Sequence, residues 1–181
     1  MSETYVALLR GINVGGHHKV PMADLRTTME KMGFEKVQTL LNSGNVIFEG
    51  TFYLKTAPEE QLSTGLEKAF GFPIPVLIRT ADDIRQLIRS QPFKGVEETK
   101  DTRLYVSFLK QNPKTRIELP WTADDGSFRI LSVYQKAICS VLDLSVTNTV
   151  KGMDALGQLF GKATMTTRNW NTIKRIAKKL D

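Results

Sequence analysis

The segment Arg10-Gly11-Ile12-Asn13-Val14-Gly15-Gly16-His17-His18-Lys19 gathers three glycines, two histidines and two long cationic side chains into ten residues. Glycines in a strand-to-helix loop allow positive φ and let a ligand approach backbone N–H groups closely. A helix that starts near Pro21 points the positive end of its dipole at the same loop. The spacing G-x-x-x-G-G is not the dinucleotide fingerprint, and no Gly-Lys-Ser/Thr follows to make a P-loop. The chemistry that suits this loop is anion capture. Arg10, Lys19 and the N–H groups of Gly15 and Gly16 would meet the charge, and Asn13 would orient the ligand. The alternative is a loop that needs its glycines only to turn. His17 and His18 also permit a general acid/base, which would make the same loop part of an enzyme. Neighbouring residues in an extended loop point to opposite sides, and the loop holds no Cys, Asp or Glu. No metal site and no cofactor are therefore expected.

Two further segments carry residues of the same kind. Leu41-Asn42-Ser43-Gly44-Asn45 is ordinary turn chemistry, yet Asn42, Ser43 and Asn45 are all hydrogen-bonding groups. Thr166-Thr167-Arg168-Asn169-Trp170-Asn171-Thr172-Ile173 reads as the start of a helix over 167–180, capped by Thr166 or Thr167. In that helix Trp170, Ile173, Ala177 and Leu180 form an apolar stripe widened by Ile176. Arg168 and Asn169 would then stand at its exposed start.

The elements that must position these residues follow from periodicity. Thr4–Arg10 is a mostly apolar run that reads as a buried strand. Pro21–Met32 places Met22, Leu25, Met29 and Met32 at helical spacing, and Gly33 stops it. Lys36–Leu41 and Asn45–Glu49 read as strands joined by a hairpin turn. Pro58–Phe70 has Leu62, Leu66 and Phe70 on one helical face, and Pro75–Arg79 is another strand. The order β-α-β-β-α-β predicts an α+β protein whose first half, 1–79, is a ferredoxin-like unit. A sheet of spatial order 4-1-3-2 brings the glycine loop, the Asn42–Asn45 turn and Gly71–Pro73 to one end. A second α+β unit over 80–181 would contain a helix at 80–89, strands at 104–109, 127–133 and 137–142, and helices at 152–160 and 167–180. Gln91–Thr102 reads as the junction between the units.

Charge and composition narrow the classes. The chain has 181 residues, 41% of them apolar and 24% charged, which excludes a disordered tail, a collagen and a coiled-coil rod. The net charge is +6. Residues 151–181 hold seven basic side chains against two acidic ones, whereas the first 150 hold 18 against 17. A basic end on a neutral body suits nucleic acid or another acidic partner, and equally a solvated helix face whose cations complement the dipole. The single cysteine, Cys139, excludes an internal disulfide and reads as a buried thiol on one strand face with Ala137 and Val141. The N-terminal stretch runs into a strand pattern without signal-peptide features, and no apolar run has the length of a membrane span. The expectation is a cytoplasmic protein with no membrane partner.

Arg10–Gly16 (RGINVGG) with Lys19–Leu25 (KVPMADL), Leu41–Phe48 (LNSGNVIF) and Thr166–Thr172 (TTRNWNT), in that order, resemble the bacterial family catalogued as domain of unknown function sixteen-ninety-seven. The resemblance spans nearly the whole chain. It implies a ferredoxin-like α+β first half and groups Arg168 and Asn169 with the first-half motifs. It implies no established activity and no catalytic residue. Relatives tend to carry a Tyr-Gly-Arg-Ser-like stretch before the last two helices, where this chain reads Thr147-Asn148-Thr149-Val150-Lys151-Gly152. The reading that follows is binding of an anionic ligand, a phosphate-containing metabolite or nucleic acid, at the rim of the first sheet. A His-based small-molecule enzyme and a protein-interaction module using the basic last helix are the alternatives. An RNA-recognition-motif use of the sheet needs aromatics on strands one and three, and only Tyr5 and Phe48 qualify.

Overall fold

The computed structural model describes residues 2–53, 55–161 and 165–181. The protein is α+β, with a four-stranded and a five-stranded antiparallel sheet. The chain divides into two compact units, Met1–Gln86 with Ile176–Asp181, and Leu87–Arg175. Among the described residues, no helix is long and apolar enough to cross a membrane.

The first sheet is built from β1 (Glu3–Leu9), β2 (Glu35–Leu40), β3 (Asn45–Gly50) and β4 (Val76–Thr80), in spatial order β2-β3-β1-β4. That is the expected order 4-1-3-2. Helix α1 (Met22–Lys31) links β1 to β2, and α2 (Pro58–Phe70) links β3 to β4. Alternation along the strands sends Ala7 and Leu9 of β1, Val46 and Phe48 of β3, and Val76 and Ile78 of β4 to one face. There they form a single core with Leu25 and Met29 of α1 and Leu62 and Leu66 of α2. Both helices therefore bury their apolar stripes against the same side of the sheet. The residues between them in sequence, Val6, Leu8, Ile47 and Leu77, are buried as well. Tyr5 and Phe48 stack at 5.7 Å on the helix-covered side, and Phe48 is fully buried. They pack the core and offer no platform for bases.

The second sheet orders β6 (Trp121–Thr122), β7 (Phe128–Tyr134), β8 (Ala137–Asp143), β5 (Thr102–Leu109) and β9 (Met165–Asn169) as β6-β7-β8-β5-β9. Helix α4 (Thr149–Phe160), capped by the Asn148 side chain on the Lys151 N–H, contributes Leu156 to a core with Phe128, Ile130, Ile138 and Leu142. Gly152 makes that approach possible, since a Cβ there would lie 2.6 Å from Leu142. Between the two sheets in sequence lies α3 (Ala81–Arg89), opened by a reciprocal cap. Thr80 N–H donates to Asp83, and Asp83 N–H donates to the Thr80 hydroxyl.

One sequence expectation is corrected here. Thr166–Asn169, expected to open the last helix, is strand β9, paired with β5 from Tyr105↔Asn169 to Leu109↔Met165. The last helix, α5 (Trp170–Leu180), begins only at Trp170. The open edge of β5 supplies ladder partners for every residue of β9. Threonine suits a strand well, and pairing outweighs the local capping signal. The stripe itself is as expected: Ile173 and Ile176 are buried and Trp170 packs edge-on against Phe93 at 5.1 Å.

Candidate functional site

Three segments meet at the end of the first sheet where β1 finishes. Leu9 N–H donates to Gly44 O at 2.8 Å, and Arg10 N–H donates to Pro75 O at 2.9 Å. The loop after β1, the β2–β3 turn and the entry to β4 thus form one rim, as the strand order requires.

Asn13 is the fastener. Its Nδ2 donates to Asn42 O at 2.8 Å and to Val20 O at 2.9 Å, while its Oδ1 accepts from Val20 N–H at 2.8 Å. One carboxamide therefore closes the glycine loop onto its own end and ties it to the turn. Asn13 sits at φ +55, a conformation that Asn tolerates better than most residues. Within the closed loop, Val14 and His17 pair as an isolated bridge, and His17 N–H donates to Val14 O at 3.1 Å. The two residues between them, Gly15 at φ +59 and Gly16 at φ +78, take the conformations of a type I′ turn. The glycines therefore turn the chain, and the same turn leaves the N–H groups of Gly15 and Gly16 without a backbone hydrogen bond among the described residues. Ile12 and Val20 anchor the loop from below in the core.

The predicted residues divide by depth. Asn45 is 0% exposed; its Nδ2 donates to Leu40 O at 2.9 Å and to the Ser43 hydroxyl at 3.0 Å. It lies beneath the rim and shapes the turn. Lys19, His17, Asn42 and Ser43 are exposed, and Arg10 is half-buried. Arg10, His17 and Lys19 make no side-chain hydrogen bond or ion pair among the described residues. The three converging segments, 10–20, 41–45 and 71–75, contain no Asp or Glu. His18 is placed differently: its ring stacks on Phe72 at 4.5 Å, and its Nδ1 lies 3.3 Å from Gly11 O. In the sequence, Phe72 is marked as a rim residue only by its place directly before Pro73, at the entry to β4. Two apolar side chains also stand exposed on the rim, Val14 at 70% and Leu41 at 46%.

Arg168 and Asn169 belong to the Leu87–Arg175 unit. Arg168 is buried in β9, where its Nη1 donates to the Thr166 hydroxyl at 2.8 Å and to Thr167 O at 3.0 Å. Burial draws its pKa down to about 10, so it stays a cation at neutral pH. Asn169 Oδ1 accepts from Asn171 N–H at 2.9 Å and so caps α5. Among the described residues, no group of three or more His, Cys, Asp or Glu side chains could hold a metal ion.

The family model described as a protein of unknown function, DUF1697, matches residues 2–130. The chain belongs to the DUF1697 family. The match takes in the glycine loop and the Asn42–Asn45 turn, while Thr166–Thr172 lies beyond it. No curated protein matches the sequence. A solved structure of a conserved bacterial protein, SP0830 from Streptococcus pneumoniae, is similar over 100% of both chains, at 20% identity and a TM-score of 0.64. At that identity the likeness describes the fold.

Proposed function

We propose that this DUF1697 protein binds an anionic ligand at the rim formed by the glycine loop and the β2–β3 turn. The observation that carries the reading is a set of basic side chains without hydrogen-bond or ion-pair partners among the described residues, on converging segments that contain no Asp or Glu. Arg10, His17 and Lys19 stand there without a hydrogen bond or ion pair among the described residues, beside the N–H groups of Gly15 and Gly16. Anions are favoured where N–H groups and cations converge. Lys19 and Arg10 would take the charge, and Asn42 and Ser43 would orient the ligand. Asn13 and Asn45 hold the rim in shape. The exposed Val14 and Leu41 flank the Asn13–Asn42 bond, and they suit an apolar body attached to the anion. A phosphate carried on an organic group therefore fits better than inorganic phosphate alone. Arg168 and Asn169 enter this reading only through the family resemblance.

The test is a titration followed by amide ¹H–¹⁵N spectra, with inorganic phosphate, a mononucleotide and a short single-stranded RNA as probes. The expected result is saturable movement of the Gly11, Gly15, Gly16 and Gly44 amides, strongest with the mononucleotide and lost in Arg10→Ala/Lys19→Ala. RNA binding alone, with a log–log salt slope of about −0.7 per phosphate contact, would assign the rim to nucleic acid. Unmoved rim glycines with all three probes would refute the reading.

A further inference from the structure

The opposite end of the first sheet, where Glu3 of β1 pairs with Gly50 of β3, carries a cleft of about 830 Å³. That volume falls within the roughly 300–1,000 Å³ range of small-molecule sites. From the geometry of this cleft we infer a second binding site, one for an organic cation: an ammonium or guanidinium group carried on an apolar body.

Its floor is aromatic. Phe34 and Phe52 line it, with ring centroids 5.4 Å apart, and Phe48 and Tyr5 pack against Phe52. Among the described residues that line it, the charged side chains are Glu35 and Glu60, with no Lys, Arg or His, in a chain whose net charge is +6. Both carboxylates are exposed, and neither makes a hydrogen bond or ion pair among the described residues. The neighbouring Lys36 is held by Glu49 at 2.8 Å and feels Glu35 more weakly. Carboxylates beside aromatic rings favour a cation whose apolar part covers the floor, because the ring faces attract positive charge.

The cleft is also built. The Gln61 carboxamide pairs with both backbone groups of Tyr53, accepting from its N–H at 3.1 Å and donating to its O at 2.9 Å, and also donates to Thr56 O at 2.7 Å. This fixes one wall. Gly50 and Gly65 keep the other surfaces close: a Cβ on Gly50 would lie 2.5 Å from Phe34, and one on Gly65 would collide with Met32. None of these residues takes part in the rim, so the two sites stand or fall separately.

The probe is benzyltrimethylammonium, compared with the neutral benzyl alcohol and the anionic benzoate. The readout is the amide spectrum of the full chain, in which Gly33, Gly50 and Gly65 report on the cleft and Gly11, Gly15 and Gly16 on the rim. The cation should move the first set saturably and leave the second set still. Benzyl alcohol should bind more weakly and benzoate not at all. In Glu35→Gln/Glu60→Gln the cation should bind about tenfold more weakly, the size expected for losing two screened attractions. The effect should shrink as salt rises. Both side chains are exposed, so the variant spectrum should otherwise overlay that of the parent. Equal binding of cation and alcohol, an unchanged affinity in the double variant, or silent cleft glycines would each overturn the inference.

Discussion

Replacing Gly44 by alanine isolates the contact that holds the rim together. Gly44 sits at φ +77, and an added Cβ would lie 2.7 Å from Ile12 Cδ1 and 2.8 Å from Leu9 Cβ. The Ile12 methyl is the end of a side chain and can shift. Leu9 Cβ is fixed to strand β1 and cannot shift without moving the backbone that donates to Gly44 O. Two costs add. The left-handed conformation costs an L-residue about 1–2 kcal/mol, and overpacking a filled core costs about 1–3 kcal/mol more. Gly16→Ala is the internal control, because Gly16 is also at positive φ, +78, but nothing lies within 4 Å of its Cβ position. It should lose only the first cost. Urea unfolding followed by circular dichroism measures both variants. Gly44→Ala should fall below Gly16→Ala by about 1–3 kcal/mol, the overpacking cost alone. It should also bind the mononucleotide more weakly than the parent, since the turn and the loop would no longer meet in register. Equal losses in the two variants would refute the claim that close packing of the turn against Leu9 and Ile12 positions the rim.

Three further outcomes follow from single residues. Asn13→Ala removes three hydrogen bonds, at roughly 1 kcal/mol each, and puts alanine at φ +55, which Asn tolerates better; it should cost at least about 3 kcal/mol, with faster hydrogen exchange of the Val20 amide as the local signature. Ser140 is fully buried and its hydroxyl has no hydrogen-bond partner among the described residues; Ser140→Ala should therefore leave stability unchanged or raise it by up to about 1 kcal/mol in the same urea assay. Burial pushes the Cys139 thiol from 9.0 up to about 11. The folded state thus favours the protonated thiol, and this stabilisation is complete below pH 9 and lost as pH rises towards 11. Over that window the parent should lose up to about 3 kcal/mol relative to Cys139→Ala, and a parallel pH dependence of the two would contradict the burial argument.

How much of the protein was legible in its sequence depended on the range of the interactions involved. Local spacing marked α2 at Pro58–Phe70 and placed α1 to within a residue at each end, because the apolar stripe, Pro21 and Gly33 are all encoded within a few positions. Antiparallel β1, β2 and β3 followed from short apolar runs and one turn, and their order fixed which loops share the rim. What each rim residue does there was set in three dimensions. Asn13 and Asn45 read as equivalent polar groups in the sequence, yet Asn13 became a fastener because Asn42 O and Val20 lie within reach of its carboxamide. Asn45 went under the surface because strand alternation at the start of β3 turns it inward. Thr166–Asn169 carried a valid helix-capping signal, and only the open edge of β5, some sixty residues earlier in the chain, made it a strand. The cleft had no sequence signature at all. Glu35 and Glu60 are ordinary surface acids on a strand and a helix, and Phe34 and Phe52 are ordinary core aromatics. They become neighbours only because pairing Glu3 with Gly50 folds the ends of β1 and β3 beside the start of β2 and one face of α2. Sequence alone determined α1, α2 and the strands of the first sheet, since the forces that form them act over a turn or a strand, whereas β9 needed its partner. The tertiary structure decided which side chains stand free, because burial and hydrogen-bond partners come from segments far apart in the chain.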